Sequence, residues 1–482
     1  MRILITNPPW KDGDKIFKTG IKNRTPQIGS PDIYYAAFPF FQAYTAAVLQ
    51  KNGHDVFMID SLVEKIDEKK FLKKIQKINP EVVLIETSTP TVNSDLKVAE
   101  EIKKITDAKI IFCGAHATVY PEKILQQKNI DIVLRGEYEY SMLDVVNSLS
   151  NGNNLTAIKG ITFKRGKQTV NTEEREFISD LDLLPYPERD LLPLEKYYDG
   201  LVGMPQVQMI SMRGCPFKCG YCLWTHVIYK NLFRVRDSKK IVDEMEFIKE
   251  NYSPKYIYFD DDVFTLGPER VIDLCNEIIK RNIDIKWGAM TRPDLLNETI
   301  MKKMCDAGCV ALKIGVESAN PLILKSIPKP ANINKIRDVF QAAKKIGIRT
   351  QALYTLGLPG DTKKTIKKTI EFAKNLSDKA QFLLITPYPG TPYYEMYKKN
   401  GWLIDPEKWD IFQPYSASIK LPNLSPEDLK ELQREAYRQF YTGKVRIDSL
   451  LYSLKKDGIK RTFLRSIFWS LTKLKIVRDP IL

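Results

Sequence analysis

Apolar and polar positions alternate along this chain with two different periods. In the first 150 residues, short apolar runs rich in β-branched side chains fall at 3–6, 56–59, 82–85, 110–112 and 130–134. Between them, residues 39–52, 66–78, 94–106 and 138–149 repeat apolar positions at helical spacing. Alternation of this kind predicts an α/β fold, a doubly wound parallel sheet with helices on both faces. A hairpin-like segment follows at 159–170, and Pro185, Pro187 and Pro193 then mark an extended connector. From about residue 205 the alternation resumes, with strands expected at 207–212, 256–259, 285–289, 311–316, 351–356 and 382–386. Helical patterns near 239–251, 268–281, 294–307, 332–346 and 361–376 fill the gaps, predicting a partial (β/α)6 barrel. The expected division is therefore a doubly wound domain at 1–150, a hairpin and Pro-rich linker at 151–200, a partial barrel at 201–424, and a helical, basic tail at 425–482.

Composition adds constraints to this outline. The chain has 482 residues, 43% of them hydrophobic and 28% charged, enough to bury cores without disulfide support. Lysine and arginine exceed aspartate and glutamate by 74 to 59, a net charge of +15. Part of that excess gathers at the end: between Lys455 and Arg478 eight basic residues stand against one acid, Asp457. There Leu464, Ile467, Phe468, Leu471 and Leu474 share one face at helical spacing, beside Trp469. That face reads either as the solvated side of a docking helix or as an amphipathic helix on an anionic membrane surface, the preferred partner; without a nucleic-acid-binding motif, nucleic acid is not expected. No apolar run approaches the ~18–20 residues of a membrane span. The first residues run directly into a strand pattern and not a signal sequence, so a cytoplasmic location is expected, with peripheral contact on the inner face of the membrane. Seven cysteines, three of them within eight positions, argue against a disulfide framework and for a metal site in a reducing compartment.

Chemistry is expected at the carboxyl ends of the strands. In the first domain these carry Asn7-Pro8-Pro9-Trp10, Glu86-Thr87-Ser88-Thr89 and Cys113-Gly114-Ala115-His116-Ala117-Thr118. The first strand lacks a following Gly-x-Gly-x-x-Gly, which disfavours a dinucleotide. In the barrel, the first strand leads into Arg213-Gly214-Cys215-Pro216-Phe217-Lys218-Cys219-Gly220-Tyr221-Cys222. Thiolates select zinc, copper(I) or iron–sulfur clusters. Three of them on one 4Fe-4S cluster leave one iron open to another ligand. On spacing alone an alternative stands beside this: His226, four residues after Cys222, completes a Cys3His zinc set in a non-catalytic protein. Cys275, Cys305 and Cys309 sit in helical patterns and read as buried apolar residues, while Cys113 falls at a strand end.

The cysteine motif resembles the signature of the radical S-adenosylmethionine enzymes. Four further barrel segments resemble elements of that family: Tyr256–Asp262 with its three consecutive aspartates, Lys313-Ile314-Gly315-Val316-Glu317-Ser318, Leu356-Gly357-Leu358-Pro359-Gly360-Asp361-Thr362, and Pro387-Tyr388-Pro389-Gly390-Thr391-Pro392. Cys113–Thr118 is similar to the Gly-Gly-x-His-x-Thr loop of cobalamin-binding-like domains, with Cys113 in place of the first glycine. The Asp-x-His-x-x-Gly motif that supplies an axial histidine in some cobalamin proteins is absent. Together these place the chain beside the branch of the anaerobic magnesium-protoporphyrin monomethyl ester oxidative cyclase and cobalamin-dependent radical methylases, over residues 1–445.

The resemblance implies a 4Fe-4S cluster on Cys215, Cys219 and Cys222, with S-adenosylmethionine on its open iron. It further implies contacts to S-adenosylmethionine from Tyr221, Asp261, Glu317, Ser318 and Gly357, and to cobalamin from Pro8, Ser88, Gly114 and His116. His116 has two readings, facing the cobalamin or capping the following helix. The implied reaction is activation of a C–H bond in a hydrophobic small-molecule substrate, as methylation or oxidative ring formation. It needs a low-potential electron donor such as flavodoxin or ferredoxin.

Overall fold

The computed structural model describes residues 1–12, 15–16, 36–327 and 332–441. The N-terminal unit is built from β1 (Arg2–Asn7), α1 (Phe40–Lys51), β2 (Asp55–Asp60), α2 (Glu68–Ile78), β3 (Val82–Glu86), α3 (Val92–Ile105), β4 (Lys109–Cys113), β5 (Ile132–Leu134), α4 (Glu139–Asn151), β6 (Ile161–Arg165) and β7 (Gln168–Asn171). Its strands lie in the order β2-β1-β3-β4-β5-β6-β7. The first five are parallel, and the order reverses on either side of β1.

Burial on both faces explains the continuous apolar runs. Leu4, Val83, Ile85 and Phe112 pack toward Phe71 and Ile75 of α2 and Val98 and Ile102 of α3. Ile3, Ile5, Leu84 and Ile111 pack toward Ala43 and Ala46 of α1 and Met142 and Val145 of α4. The hairpin expected in the linker instead completes this sheet, β6 pairing antiparallel with β5. β5 has only three residues, and Ile161 and Phe163 continue its buried face.

The second unit contains β8 (Gln206–Met209), β9 (Met212–Gly214), β10 (Phe233–Val235), α5 (Ser238–Tyr252), β11 (Tyr256–Phe259), α6 (Pro268–Lys280), β12 (Lys286–Thr291), α7 (Glu298–Asp306), β13 (Cys309–Glu317), α8 (Ile333–Ile346), β14 (Arg349–Leu356), α9 (Lys363–Ala373), β15 (Lys379–Leu384), α10 (Pro392–Lys399) and α11 (Pro426–Tyr441). Six strands, β8-β11-β12-β13-β14-β15, follow one another in parallel, the partial barrel read from the sequence. Two details differ from expectation. The first barrel strand stops at Met209, and 212–214 turn aside to pair with β10. Cys309 opens β13 and is not helical, because Gly308 takes a left-handed conformation that ends the preceding helix.

The outer edge of β15 is closed by α11. Gln433 donates to the Phe382 carbonyl, Tyr437 accepts from the Phe382 amide, and Tyr441 donates to the Ala380 carbonyl. These side chains satisfy backbone groups that an edge strand would otherwise expose. The basic stretch at 455–478 and its apolar face lie outside the described residues. Among the described residues no helix is long and apolar enough to cross a membrane.

Candidate active site

The cysteine loop is held in place before its first cysteine. At the end of β11, Asp261 accepts hydrogen bonds from the amides of Ser211 (2.7 Å) and Met212 (3.1 Å) and from the Ser211 hydroxyl. Asp262 accepts from the Gly214 amide at 2.9 Å. These two carboxylates pull the chain out of the barrel sheet and into the β9–β10 ribbon. Gly214 has φ +87°, and a Cβ there would lie 2.0 Å from the Leu232 carbonyl oxygen, so the ribbon closes only over glycine. On the far side, the Tyr393 amide donates to the Gly220 carbonyl at 2.9 Å, and its ring lies where a Cβ of residue 220 would project. The loop after the sixth strand therefore clasps the cysteine loop.

Cys215, Cys219 and Cys222 are brought within electrostatic reach of one another. Burial, with the neighbouring Asp262 and the other thiols, pushes Cys215 up to about 12 and Cys222 up to about 11. Thiols raised in this way ionise only against strong positive charge, the condition a metal cluster meets. His226 does not complete a fourth position. Its Nε2 lies 3.1 Å from the carbonyl oxygen of Cys219, so the ring braces the loop's backbone. Arg292, immediately after β12, places Nη1 3.7 Å from Cys219 Sγ.

The residues expected around S-adenosylmethionine separate into two groups. Tyr221 and Glu317 converge on the cysteine loop. Tyr221 is held well above the ordinary phenol range by burial, then by the charges of Glu317, Cys219 and Cys222. Its ring meets that of Tyr393 edge-on at 5.9 Å. Glu317 ends β13 in a left-handed backbone conformation, φ +66°, and its Oε2 accepts from Thr355 at 2.8 Å. A non-glycine residue held at positive φ is strained, and such strain concentrates at functional sites. Three others make hydrogen bonds that support the turns around the site. Asp261 latches the backbone at 211–212, as above. The Ser318 hydroxyl meets Thr369 Oγ1 at 3.3 Å and accepts from the Asn320 amide, shaping the turn after the strand. The Gly357 amide donates to Asp361, its carbonyl accepts from Tyr397, and its α-carbon faces Ile385, Ile419 and Leu429.

The residues expected around cobalamin lie at strand ends of the first domain. Pro8 is buried directly after β1. The Ser88 hydroxyl meets Thr91 Oγ1 at 3.0 Å, and Thr91 donates to the buried Asp95, which makes a rigid turn after β3. A Cβ at Gly114 would lie 2.5 Å from the Thr87 carbonyl oxygen, and its φ is +98°; this close approach lets β4 lead into the short helix Ala115–Val119. Gly114 is the N-cap of that helix, so His116 does not cap it. His116 is buried, its Nδ1 3.1 Å from Thr89 Oγ1 and its ring edge-on to Tyr120 and Trp409. Burial, helped by Lys123, lowers it to about 3, so the ring stays neutral.

The first sheet meets the β9–β10 ribbon through a clamp that sequence reasoning missed. Arg213, fully buried before the first cysteine, pairs with Glu139 at 2.6 Å and Glu137 at 3.2 Å, both just beyond β5. Its guanidinium stacks on Phe41 (4.6 Å) and Tyr44 (5.0 Å) of α1. Arg234 of β10 pairs with Glu137 at 2.7 Å. Burial works to raise Glu137, but the bond from Arg234 and the charges of Arg213 and Arg234 outweigh it and hold the carboxyl low. Glu139 lies above the ordinary range because burial and the Glu137 charge prevail over Arg213. The available signal was Gly136-Glu137-Tyr138-Glu139, two acids at a strand end in an apolar setting. Val119 against Gly390 and Lys123 against Glu407 (2.6 Å) add further contacts between the units.

Comparison with known proteins agrees with this arrangement. A model of the radical SAM superfamily matches residues 209–373, and one of the B12 binding domain matches 33–146. An uncharacterized methyltransferase of Pyrococcus horikoshii is 33% identical over 444 residues, covering 92% of each chain. The chain belongs to the radical SAM superfamily. The anaerobic magnesium-protoporphyrin IX monomethyl ester cyclase of Rubrivivax gelatinosus is 28% identical over 88% of this chain and 77% of its own. Among solved structures, the radical S-adenosylmethionine methyltransferase TsrM of Kitasatospora setae, with cobalamin and a [4Fe-4S] cluster bound, superposes with a TM-score of 0.68 at 16% identity, over 91% of this chain and 85% of that one.

This protein is a radical SAM enzyme with an N-terminal domain of the B12-binding type, and its cofactors are a 4Fe-4S cluster, S-adenosylmethionine and cobalamin. The residues fit the cluster: three thiols on one loop, Cys215 and Cys219 buried and Cys222 half-buried, a guanidinium beside one of them, and a histidine turned to the backbone.

Proposed function

We propose that this protein is a cobalamin-dependent radical methylase acting on a small hydrophobic metabolite. The observation that carries the reading is the Arg213 clamp, which joins the cysteine loop to a strand end of the B12-type sheet. An enzyme that uses both groups in one reaction needs their binding elements adjacent, and the clamp makes them so. When bound, the cluster supplies the electron that divides S-adenosylmethionine into methionine and a 5′-deoxyadenosyl radical, and cobalamin supplies a methyl carrier.

In this reading Cys215, Cys219 and Cys222 hold the cluster. Glu317 accepts hydrogen bonds from the ribose hydroxyls of S-adenosylmethionine, and Tyr221 packs against its adenine. Pro8, Ser88, Gly114 and neutral His116 shape the cobalamin side without placing a histidine on cobalt. The half-buried Tyr221 with buried Tyr393, and buried Trp409 against His116, cover the two sides with aromatic rings that exclude water. A low-potential carrier such as flavodoxin or ferredoxin delivers the electron in the cytoplasm, and the basic residues at 455–478 provide peripheral contact with the membrane. The Pyrococcus horikoshii relative, matched along 92% of its length, supports methylation. Oxidative ring formation is the second reading, favoured by the Rubrivivax gelatinosus relative.

Anaerobic reconstitution with iron, sulfide and cobalamin, followed by S-adenosylmethionine and a strong reductant, separates them. A methylase forms S-adenosylhomocysteine beside 5′-deoxyadenosine, the former only when cobalamin is present, and Cys219→Ala forms neither. Production of 5′-deoxyadenosine with no S-adenosylhomocysteine refutes methylation and leaves ring formation. Zinc without iron or sulfide refutes both.

A further inference from the structure

We propose that Arg292 sets the reduction potential of the cluster through a hydrogen bond to the Cys219 sulfur, and that Asp294 holds it in position to do so. The inference rests on Cys215, Cys219 and Cys222 being the cluster ligands. Arg292 follows β12 directly, at the carboxyl end of the barrel, and is buried. Each part of its guanidinium is engaged. Nε and Nη2 donate to the two carboxylate oxygens of Asp294, both at 3.0 Å. The planar face lies 3.6 Å from the centroid of the Phe217 ring, inside the cysteine loop. That leaves Nη1, which points at Cys219 Sγ from 3.7 Å.

The arrangement is directional. A bidentate Arg–carboxylate pair has one geometry, and stacking on Phe217 fixes the remaining rotation. The donor aimed at sulfur is therefore set by the protein and not by chance proximity. Potentials of iron–sulfur clusters respond to net charge and to hydrogen bonds on the sulfurs. Reduction adds one negative charge to the cluster, and a donor on the Cys219 sulfur stabilises the added charge, raising the potential. The Asp294 carboxylate opposes this by cancelling much of the guanidinium charge. The two residues thus act with opposite sign, and the bond to sulfur is the part that Asp294 cannot cancel. A low-potential donor supplies the electron; neither side chain takes part in its transfer, so both are positioning residues.

The test is a potentiometric titration followed by electron paramagnetic resonance on the full, anaerobically reconstituted chain, with iron and sulfide counted for each sample. Arg292→Gln is expected to weaken the one-electron reduction equilibrium at least tenfold, a fall of about 59 mV. Arg292→Lys is expected to fall as well, since an ammonium cannot hold both Asp294 oxygens and reach the sulfur. Asp294→Asn keeps one oxygen to accept from Arg292, and so the aim of Nη1, while removing the opposing charge, and is expected to move the potential upward. An Arg292→Gln sample with full iron and an unmoved potential overturns the inference. So does a shift of the same sign in Arg292→Gln and Asp294→Asn, which would make the pair a support for loop shape alone. Zinc in place of iron and sulfide in the unaltered chain instead brings down the cluster assignment beneath it.

Discussion

Replacing Arg213 by methionine removes one cation from a buried set of two carboxylates and two guanidiniums. Glu137 keeps Arg234, but Glu139 loses its partner at 2.6 Å while fully buried. Breaking a buried ion pair from one side costs about 3–5 kcal/mol, because the remaining charge stays out of water unpaired. The same replacement forfeits the stacking of the guanidinium on Phe41 and Tyr44. For a cooperative unit of this size each kcal/mol lowers Tm by about 2–4 °C, so the expected drop is about 6–20 °C. Glu139→Gln should cost less, since burial already disfavours that carboxylate. The double variant Arg213→Met/Glu139→Gln should recover about 0.5–3 kcal/mol relative to the sum of the singles. Because an orphaned Glu139 relieves its burial by taking up a proton, the deficit of Arg213→Met should shrink as pH falls. The assay is calorimetric melting of the cofactor-free chain at several pH values, paired with iron per chain after reconstitution. A melt that matches the unaltered protein, or strictly additive singles, refutes the clamp as a stabilising link between the first sheet and the β9–β10 ribbon.

Two further outcomes follow from the loop supports. Gly214→Ala should separate β9 from β10 and lower iron bound per chain after reconstitution. Gly53→Ala, which shares a positive φ (+80°) but meets nothing within 4 Å, should leave iron binding unchanged. Asp361, raised by burial to about 6 despite accepting from Thr365, Gly357 and Leu358, is a cost to the folded state at neutral pH. Its displacement from 3.8 to about 6 amounts to about 3 kcal/mol, which the folded protein regains on protonation as pH falls through that interval. Denaturation midpoints of the unaltered protein should therefore rise relative to Asp361→Asn between pH 6 and 4; parallel midpoints across that range would contradict the shift.

The elements that the sequence made legible are those whose signal is local. A run such as 82–85 is apolar at every position because helices cover both faces of β3, and one segment suffices to read that. The spacing of Cys215, Cys219 and Cys222 likewise lies within one loop. The ribbon of 212–214 was not legible, because the pull that creates it comes from Asp261 and Asp262, about fifty residues later. For the same reason Asp261 read as a ligand contact, and its hydrogen bonds to the amides of 211 and 212 were not legible. What decides is where the backbone amides of 211–214 happen to be. Arg213 beside the first cysteine read as part of a motif, yet its function is set by Glu137 and Glu139 from the other sheet.

Residue type and position at a strand end thus identify the place of the chemistry without identifying which side chain performs it. At this site Tyr221 and Glu317 lie toward the cysteine loop, whereas Asp261, Asp262, Ser318, Gly357 and Asp361 hydrogen-bond within the surrounding turns. The division has a physical cause. A loop that presents three thiols to one cluster has no regular hydrogen-bond ladder of its own, so its amides and those of the neighbouring turns need acceptors. Carboxylates at adjacent strand ends meet that need most strongly, being charged acceptors in a dry setting. An acid-rich strand end beside a cysteine loop is therefore expected first as scaffolding, and an acid on a strand farther from those amides is the better candidate for a ligand. Glu317, strained at positive φ and two strands away from the latch, is the residue here that meets this condition.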